Sequence, residues 1–185
     1  MNPIKSKQDL IDYINRGNKV KYLFFWGHQP NKDGAISKSC FSQWYEASFE
    51  IDSVKYKTAE HYMMAEKARL FGDSDVLAQI LAAEHPGAAK KLGRLVKGFQ
   101  PETWLENRFE IVVRGNVAKF GQNPELKDFL IATGNRILVE ASPRDRIWGI
   151  GLGQNNPDAE DPCKWRGLNL LGFALMEVRN VLIAN

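Results

Sequence analysis

The spacing of apolar residues along the chain predicts short strands combined with longer helices. Aromatic and apolar runs predict strands at 21–26 (KYLFFW) and 137–141 (ILVEA). Alternating residues over 46–57 predict a hairpin that turns at Asp52 and Ser53. Apolar residues that recur every three or four positions predict helices elsewhere. These helices cover residues 6–17, 59–71, 74–84, 87–97, 101–120, 123–133 and 167–184.

Proline marks three of the predicted helix starts. Pro86, Pro101 and Pro124 stand where a missing backbone N–H costs no hydrogen bond. The segment 142–167 instead reads as a loop of about 25 residues, a length that is uncommon inside a compact domain and often functional. Together these elements predict one α+β domain, predominantly helical, with a small antiparallel sheet.

The composition is that of an ordinary globular domain. The chain has 185 residues, of which 44% are hydrophobic and 25% charged, and its net charge is +3. This small charge argues against tight non-specific binding to nucleic acid, which scales with the number of phosphates neutralised. No segment approaches the roughly 18 apolar residues of a membrane span, and the first residues lack the apolar core of a signal peptide. We therefore expect a cytoplasmic protein with no membrane partner.

Cysteine and histidine spacing indicates no metal site. Cys40 and Cys163 are far apart and lack the spacing of a zinc ribbon or a disulfide framework. The sequence Glu60-His61 has the residues of a zinc-protease motif in reversed order, and Ala65 stands where the second histidine would be. No cofactor is indicated either.

The helix at 59–71 carries the first candidate chemistry. Glu60 and Lys67 share its more apolar face with Met63 and Met64. They are two turns apart, about 10 Å along the axis, so a straight helix does not bring them into a close ion pair. Both side chains could converge on a small ligand between them. The alternative is that both are solvated, as charged helix residues usually are.

A second candidate cluster lies in the long loop. The sequence G-x-G-x-G at 149–153 lacks the strand-to-helix context of a dinucleotide fingerprint, but it suggests close backbone approach to another group. Asp145 stands three residues before Trp148, which would put a carboxylate near a stacking surface and suit a sugar hydroxyl. Alternatively, Asp145 caps a turn after Pro143.

Four segments together resemble the YbiA/NADAR family. They are TAEHYMMAEKA (58–68), PETWLENR (101–108), LVEASPRDRIWGIG (138–151) and NLLGFALMEVR (169–179). The resemblance runs from about Tyr22 to Leu182 and leaves residues 1–20 outside it. It implies one YbiA-like domain over 1–185, with 1–20 as an N-terminal extension helix packed on it.

The resemblance also implies an activity. Members are similar to N-glycosidases that cleave the bond between a base and ribose, either in riboflavin-pathway pyrimidine ribose phosphates or in ADP-ribosylated guanine of nucleic acid. It implies a small ribosyl nucleotide or such a modified guanine as partner, with no cofactor and no obligate protein partner. The rival interpretation is a non-catalytic module that binds ADP-ribose or a related nucleotide.

Matching the family motifs assigns the site. Glu60 would stabilise positive charge on the sugar or act as general acid or base. Lys67 would bind as a cation or form a Schiff base with the opened ribose. Asp145 would complete the catalytic set by holding ribose hydroxyls. The expected substrate-binding residues are Trp26, Gly27, Tyr62, Trp104, Trp148 and Gly149.

Overall fold

The computed structural model describes residues 4–184. Its helices are α1 (Lys7–Asn15), α2 (Ala59–Leu70), α3 (Ser74–Ala82), α4 (Pro86–Gly93), α5 (Pro101–Gly121), α6 (Pro124–Ile131) and α7 (Leu170–Ala184). Its strands are β1 (Tyr22–Phe25), β2 (Phe49–Ile51), β3 (Val54–Tyr56) and β4 (Ile137–Glu140). Two 3₁₀ helices, Lys38–Phe41 and Pro162–Lys164, interrupt the loops.

The predicted elements are present, and the helix-rich α+β class is confirmed. Side chains cap the starts of α1 and α2: Ser6 Oγ accepts from the Asp9 N–H, and Thr58 Oγ1 accepts from the His61 N–H. The helix predicted at 87–97 ends early, at Gly93. There the Leu95 N–H bonds to the Leu92 carbonyl, which tightens the final turn and stops the helix.

The strands form two separate pairs of opposite kind. β2 and β3 make the predicted antiparallel hairpin, and its turn residues Asp52 and Ser53 take the left-handed backbone conformation with φ of 53° and 62°. β1 and β4 pair in parallel, with Tyr22 opposite Ile137 and Phe25 opposite Glu140. The prediction of an antiparallel sheet therefore holds for the hairpin, and the second pair departs from it. A parallel pair needs a long crossover, which the segment containing α2 to α6 provides.

Helix α2 runs through the centre of the domain. It packs against α3, α4 and α5, so it is buried on nearly all sides rather than on one face. Two glycines make this possible. A side chain at Gly93 would overlap Met64, and one at Gly115 would overlap the Tyr62 ring. The neighbouring helices can therefore approach α2 closely.

The N-terminal helix α1 lies against the last third of the chain. Lys7 Nζ donates to the Trp165 carbonyl over 3.0 Å, and Lys5 Nζ lies 3.2 Å from the Glu177 carboxylate. The first three residues of the predicted extension lie outside the described residues. Within 4–184 we find no helix that is both long and apolar enough to cross a membrane.

Candidate active site

A cavity of about 810 Å³ opens at one edge of the parallel pair. Because β1 and β4 run in the same direction, their carboxyl ends meet there, and Trp26 and Gly27 follow one strand while Glu140 ends the other. The α2 face that carries Glu60 and Lys67 forms the floor, and α4, α5 and the loop after β4 complete the wall. The lining residues are Trp26, Gly27, His28, Ser42, Gln43, Trp44, Glu60, Met63, Met64, Lys67, Lys90, Gly93, Arg94, Trp104, Glu140, Ser142, Arg144, Asp145, Arg146, Ile147, Trp148 and Leu171.

Glu60 is buried at this cavity. Its side chain is 3% exposed, and within residues 4–184 its Oε1 has no hydrogen-bond partner. Burial raises the pKa of Glu60 to about 7, an effect that Lys90 opposes and Asp145 reinforces. The alternative of a solvated Glu60 is therefore wrong. A buried carboxyl that is half protonated near neutral pH can both give and take a proton.

The segment after the first 3₁₀ helix holds Glu60 in place. The Glu60 backbone N–H donates to the Gln43 carbonyl over 3.0 Å. Trp44, the next residue of this segment, lines the same cavity, and its side chain helps to lower the pKa of the Glu60 carboxyl. Gln43 is itself fixed by Asn116 of α5, whose Nδ2 donates to Gln43 Oε1 over 2.8 Å. Ser42, Gln43 and Trp44 of this segment line the cavity, so Asn116 supports the site without itself lining it.

Lys67 reaches the same cavity from the next turns of α2. It is half-buried, and its Nζ donates to the Gly93 carbonyl over 2.8 Å. The ammonium also lies over the Phe99 ring, 4.3 Å from its centre, and 5.7 Å from that of Trp104. Burial, and then the charge of Arg94, lower the pKa of Lys67. The structure thus brings both α2 candidates to one cavity.

The Asp145 carboxylate accepts hydrogen bonds from the backbone of its own loop. Its Oδ1 accepts from the N–H groups of Ile147 at 2.8 Å and Trp148 at 2.7 Å, with a longer contact of 3.4 Å to Gly149. This is the capping role that the sequence offered as an alternative. Asp145 nevertheless lines the cavity, and its charge raises the pKa of both Glu60 and Glu140.

The structure separates the predicted binding residues into two groups. Trp26, Gly27, Trp104 and Trp148 line the cavity. Tyr62 does not, because it is 1% exposed and packs in the core, with its ring centre 5.0 Å from that of Tyr56. The expectation that Tyr62 touches substrate is therefore not supported by its position.

Gly149 also lies outside the lining. A side chain there would come within 2.9 Å of the Glu140 carbonyl and 3.1 Å of the Asp145 carbonyl. Its absence lets the loop pass close to the end of β4. Gly149 therefore shapes the site through the backbone, as the sequence suggested for the glycine-rich segment.

Sequence reasoning missed four cations and a second carboxyl at the cavity. The cations Lys90, Arg94, Arg144 and Arg146 line the cavity, and in the described part of the chain none forms an ion pair within 4.0 Å. Lys90 and Arg94 are four residues apart at the end of α4, a spacing that puts them on one helix face. That spacing was the only available signal, since their convergence with the loop arginines is tertiary.

The second carboxyl is that of Glu140, a residue that is partly exposed at the cavity. Its Oε2 is buried and lacks a hydrogen-bond partner among the residues described, and burial raises the pKa of Glu140 to about 8. It sits in an apolar run, ILVEA, where a lone glutamate is easily attributed to a strand end. As for metals, no group of three or more His, Cys, Asp or Glu side chains within 4–184 is arranged to hold an ion.

Comparison with known proteins defines the family. The NADAR domain matches residues 24–183, most of the chain. The chain belongs to the NADAR domain family. This NADAR domain also resembles the NMR structure of the E. coli protein YbiA, with a TM-score of 0.71 and 26% identity over 90% of this chain and 88% of that one. The predicted family and the YbiA-like fold are thus confirmed.

Several relatives of this NADAR domain carry the name of an enzyme. An N-glycosidase of Acanthamoeba polyphaga mimivirus is 43% identical over 86% of this chain and 95% of its own. An N-glycosidase of Nostoc punctiforme is 31% identical over 76% and 83%. A chloroplastic riboflavin biosynthesis protein of Zea mays is 32% identical over 71% of this chain, which matches 20% of that longer protein. The prediction of a glycosyl hydrolase is confirmed at the level of the family.

Proposed function

We propose that this protein is an N-glycosidase that hydrolyses the bond between a base nitrogen and the anomeric carbon of a ribose phosphate. The observation that carries the proposal is the Glu60 carboxyl, which is buried at a large cavity with an oxygen that lacks a partner among residues 4–184. Burying such a group without a partner is unfavourable, and such groups are concentrated at sites of function.

The chemistry explains why a carboxylate is needed. Cleavage of the glycosidic bond develops positive charge on the anomeric carbon and the ring oxygen, as in O-glycoside hydrolysis. A carboxylate beside that carbon stabilises the charge strongly, because the buried surroundings screen it poorly. The bond's electron pair and a proton go to the base nitrogen, and water adds to the carbon. The products are the free base and the sugar phosphate.

Lys67 has two proposed roles that the geometry supports. Its ammonium can hold a phosphate or the ring oxygen, since it faces a cavity that already contains unpaired cations. Its lowered pKa also raises the fraction of neutral amine, which can attack the anomeric carbon. In that case the base leaves, the ribose ring opens to a Schiff base on Lys67, and water then releases the sugar.

The cavity lining supports a substrate with both an aromatic base and phosphate. Trp104 and Trp148 offer faces on which a base can stack. The cations of α4 and of the loop after β4 complement phosphate. We propose two substrate classes on this basis: pyrimidine ribose phosphates of riboflavin synthesis, a pathway named in the Zea mays relative, and ADP-ribose on guanine. Asp145 would hold ribose hydroxyls with its remaining lone pairs.

The test is a turnover assay on both substrate classes with purified protein. One reaction contains the ribosylaminopyrimidine phosphate, the other an oligonucleotide with ADP-ribosylated guanine, and free base or ADP-ribose is measured by chromatography. We expect release from at least one substrate, and a loss of release in Glu60→Gln while the circular dichroism spectrum is unchanged. Wild-type rates in the folded Gln variant would remove Glu60 from the chemistry.

The same assay addresses the rival function. If the folded protein binds ADP-ribose but cleaves neither substrate, and binding is unchanged in Glu60→Gln, the protein is a nucleotide-binding module instead. Binding is measured by isothermal titration with ADP-ribose itself, so that the result does not depend on turnover.

A further inference from the structure

Glu140 is held rigidly at the site by its backbone. Its N–H donates to Asn169 Oδ1 over 2.9 Å, and its carbonyl accepts from the Ile150 N–H over 2.9 Å. Asn169 is fully buried, and its Nδ2 donates back to the Leu138 carbonyl over 2.9 Å. The end of β4 is therefore fixed on both sides. Yet the carboxyl at this fixed point has a buried oxygen to which none of residues 4–184 donates. A purely structural glutamate would use that oxygen.

The two carboxyls of the cavity, from buried Glu60 and partly buried Glu140, have unequal surroundings. Lys90 of α4, the Trp44 side chain and Arg94 all favour the charged form of Glu60, in that order, against burial and Asp145. Around Glu140 only Lys90 favours the charged form, while burial, Asp145 of the following loop and Glu60 of α2 oppose it. Asp145 and Glu60 therefore favour the protonated form of Glu140, whereas Lys90 and Arg94 favour the carboxylate form of Glu60.

Glu60 and Glu140 line one cavity, and each has a buried oxygen to which none of residues 4–184 donates, so the pair suits two separate catalytic roles that rest on the proposed function. We infer that Glu140 is the proton donor of the reaction: it protonates the leaving base nitrogen while the Glu60 carboxylate stabilises the positive charge on the ribose. As the bond from the anomeric carbon breaks, its electron pair goes to the base nitrogen, and the Glu140 proton joins it there. The water that adds to the anomeric carbon then returns a proton to the Glu140 carboxylate. Two carboxyls with separate roles are the usual arrangement in glycoside hydrolysis.

The test compares Glu140→Gln with the wild type and with Glu106→Gln, a matched control at an exposed acid on α5. Removing a general acid lowers kcat by about 10²–10⁴-fold. We expect a loss of that size in Glu140→Gln, a KM within about threefold of wild type, and no change in the control. In the wild type, kcat should fall at alkaline pH because Glu140 loses the proton that it donates. In Glu140→Gln this fall should disappear. An unchanged kcat in folded Glu140→Gln overturns the inference but leaves the N-glycosidase proposal intact.

Leaving-group dependence separates proton donation from a structural role. In a series of ribosyl phosphates that differ only in a ring substituent of the base, a better leaving group needs less protonation. The rate loss of Glu140→Gln should therefore shrink along the series. A loss of the same size for every member would assign Glu140 to packing and overturn the inference.

The wild type alone provides a further check if Glu140→Gln does not fold. A general acid makes kcat almost independent of the basicity of the leaving group, whereas a steep dependence in the wild type contradicts protonation. If the wild type hydrolyses no member of the series or of the two substrate classes, the proposed function itself fails, and the inference with it.

Discussion

The backbone N–H of Glu60 donates a hydrogen bond of 3.0 Å to the carbonyl of Gln43. This contact joins the first turn of α2 to a segment that has little regular structure of its own. Helix α5 stabilises that segment, through Asn116 on the Gln43 side chain and through Lys119 on the carbonyls of Cys40 at 2.7 Å and Ser42 at 2.9 Å. The carboxyl at the centre of the site thus depends on polar groups that do not touch the cavity.

Lys119 should give the protein a distinctive dependence of stability on pH. It is fully buried, and burial lowers its pKa from 10.5 to about 7. Between those values the unfolded chain binds a proton at Lys119 that the folded chain does not, so the free energy of unfolding rises with pH from about 7 to 10.5. The slope for one proton is at most about 1.4 kcal/mol per pH unit.

Replacing Lys119 with methionine should remove this contribution. The free energy of unfolding of wild type and of Lys119→Met is measured by urea unfolding between pH 6 and about 9. The value for the wild type should increase relative to that of the variant as pH rises. Lys55→Met, at an exposed lysine of β3, is the control and should give a difference independent of pH. A difference for Lys119→Met that is equally flat would show that the buried amine does not titrate in this range.

Glu60 should have the opposite effect on stability. Its pKa is raised from 4.5 to about 7, so the folded chain binds the extra proton between these values, and the free energy of unfolding falls as pH rises through them. At pH 8 the ionised carboxylate costs on the order of 1–3 kcal/mol. Glu60→Gln cannot ionise. We expect its free energy of unfolding relative to wild type to rise by that amount between pH 4.5 and 8, although turnover is lost.

Thermal unfolding of both proteins across this pH range measures the effect. Glu106→Gln serves again as the exposed control and should track the wild type. If the difference between Glu60→Gln and wild type is the same at pH 4.5 and at 8, Glu60 is not held in its protonated form by the fold.

Chemical trapping distinguishes the two roles of Lys67. If its amine forms a Schiff base, borohydride added during turnover should reduce it to a stable adduct, visible by mass spectrometry as one added sugar phosphate on Lys67. Lys67→Ala should form none. If Lys67 acts only as a cation, no adduct forms in the wild type, and Lys67→Arg, which keeps the charge, should retain most of the activity.

Close packing of α7 on β4 should make Gly172 intolerant of any side chain. A methyl group there would overlap the Leu138 carbonyl and the Asn169 amide. Because the obstruction includes backbone, we expect Gly172→Ala to lower the free energy of unfolding by about 1–3 kcal/mol. Gly153→Ala is the matched control, since its methyl group would meet only Pro143, at 3.7 Å. Similar midpoints of urea unfolding for the two variants would contradict this account.

The helices were predictable because their signals are local. Caps such as Ser6 and Thr58 and the prolines at three helix starts act within one turn, so they can be read without knowledge of the fold. The parallel pairing of β1 with β4 has no such local signal. Its register depends on a crossover that includes five helices, and the hairpin alone suggested an antiparallel arrangement.

The site was predictable in part for the same reason. Glu60 and Lys67 share a helix face, so one segment of sequence already places them together. Tyr62 belongs to the same motif as Glu60 but lies two residues on, about 200° around the helix, and therefore points away from the cavity into the core. Glu140 and the cations of α4 join the site only through tertiary structure. Their functional positions could not be inferred from spacing along the chain.

The parallel pair has a consequence for how the protein is made. It joins Tyr22 to Ile137, and the cavity opens where these strands end, so both walls exist only after most of the chain has left the ribosome. Contacts between residues so distant in sequence form slowly and late. The helices of the crossover can assemble earlier, but a nascent or truncated chain that lacks β4 has no second carboxyl and no closed pocket. Catalytic competence should therefore arise in a single late step, and incomplete chains should be inactive.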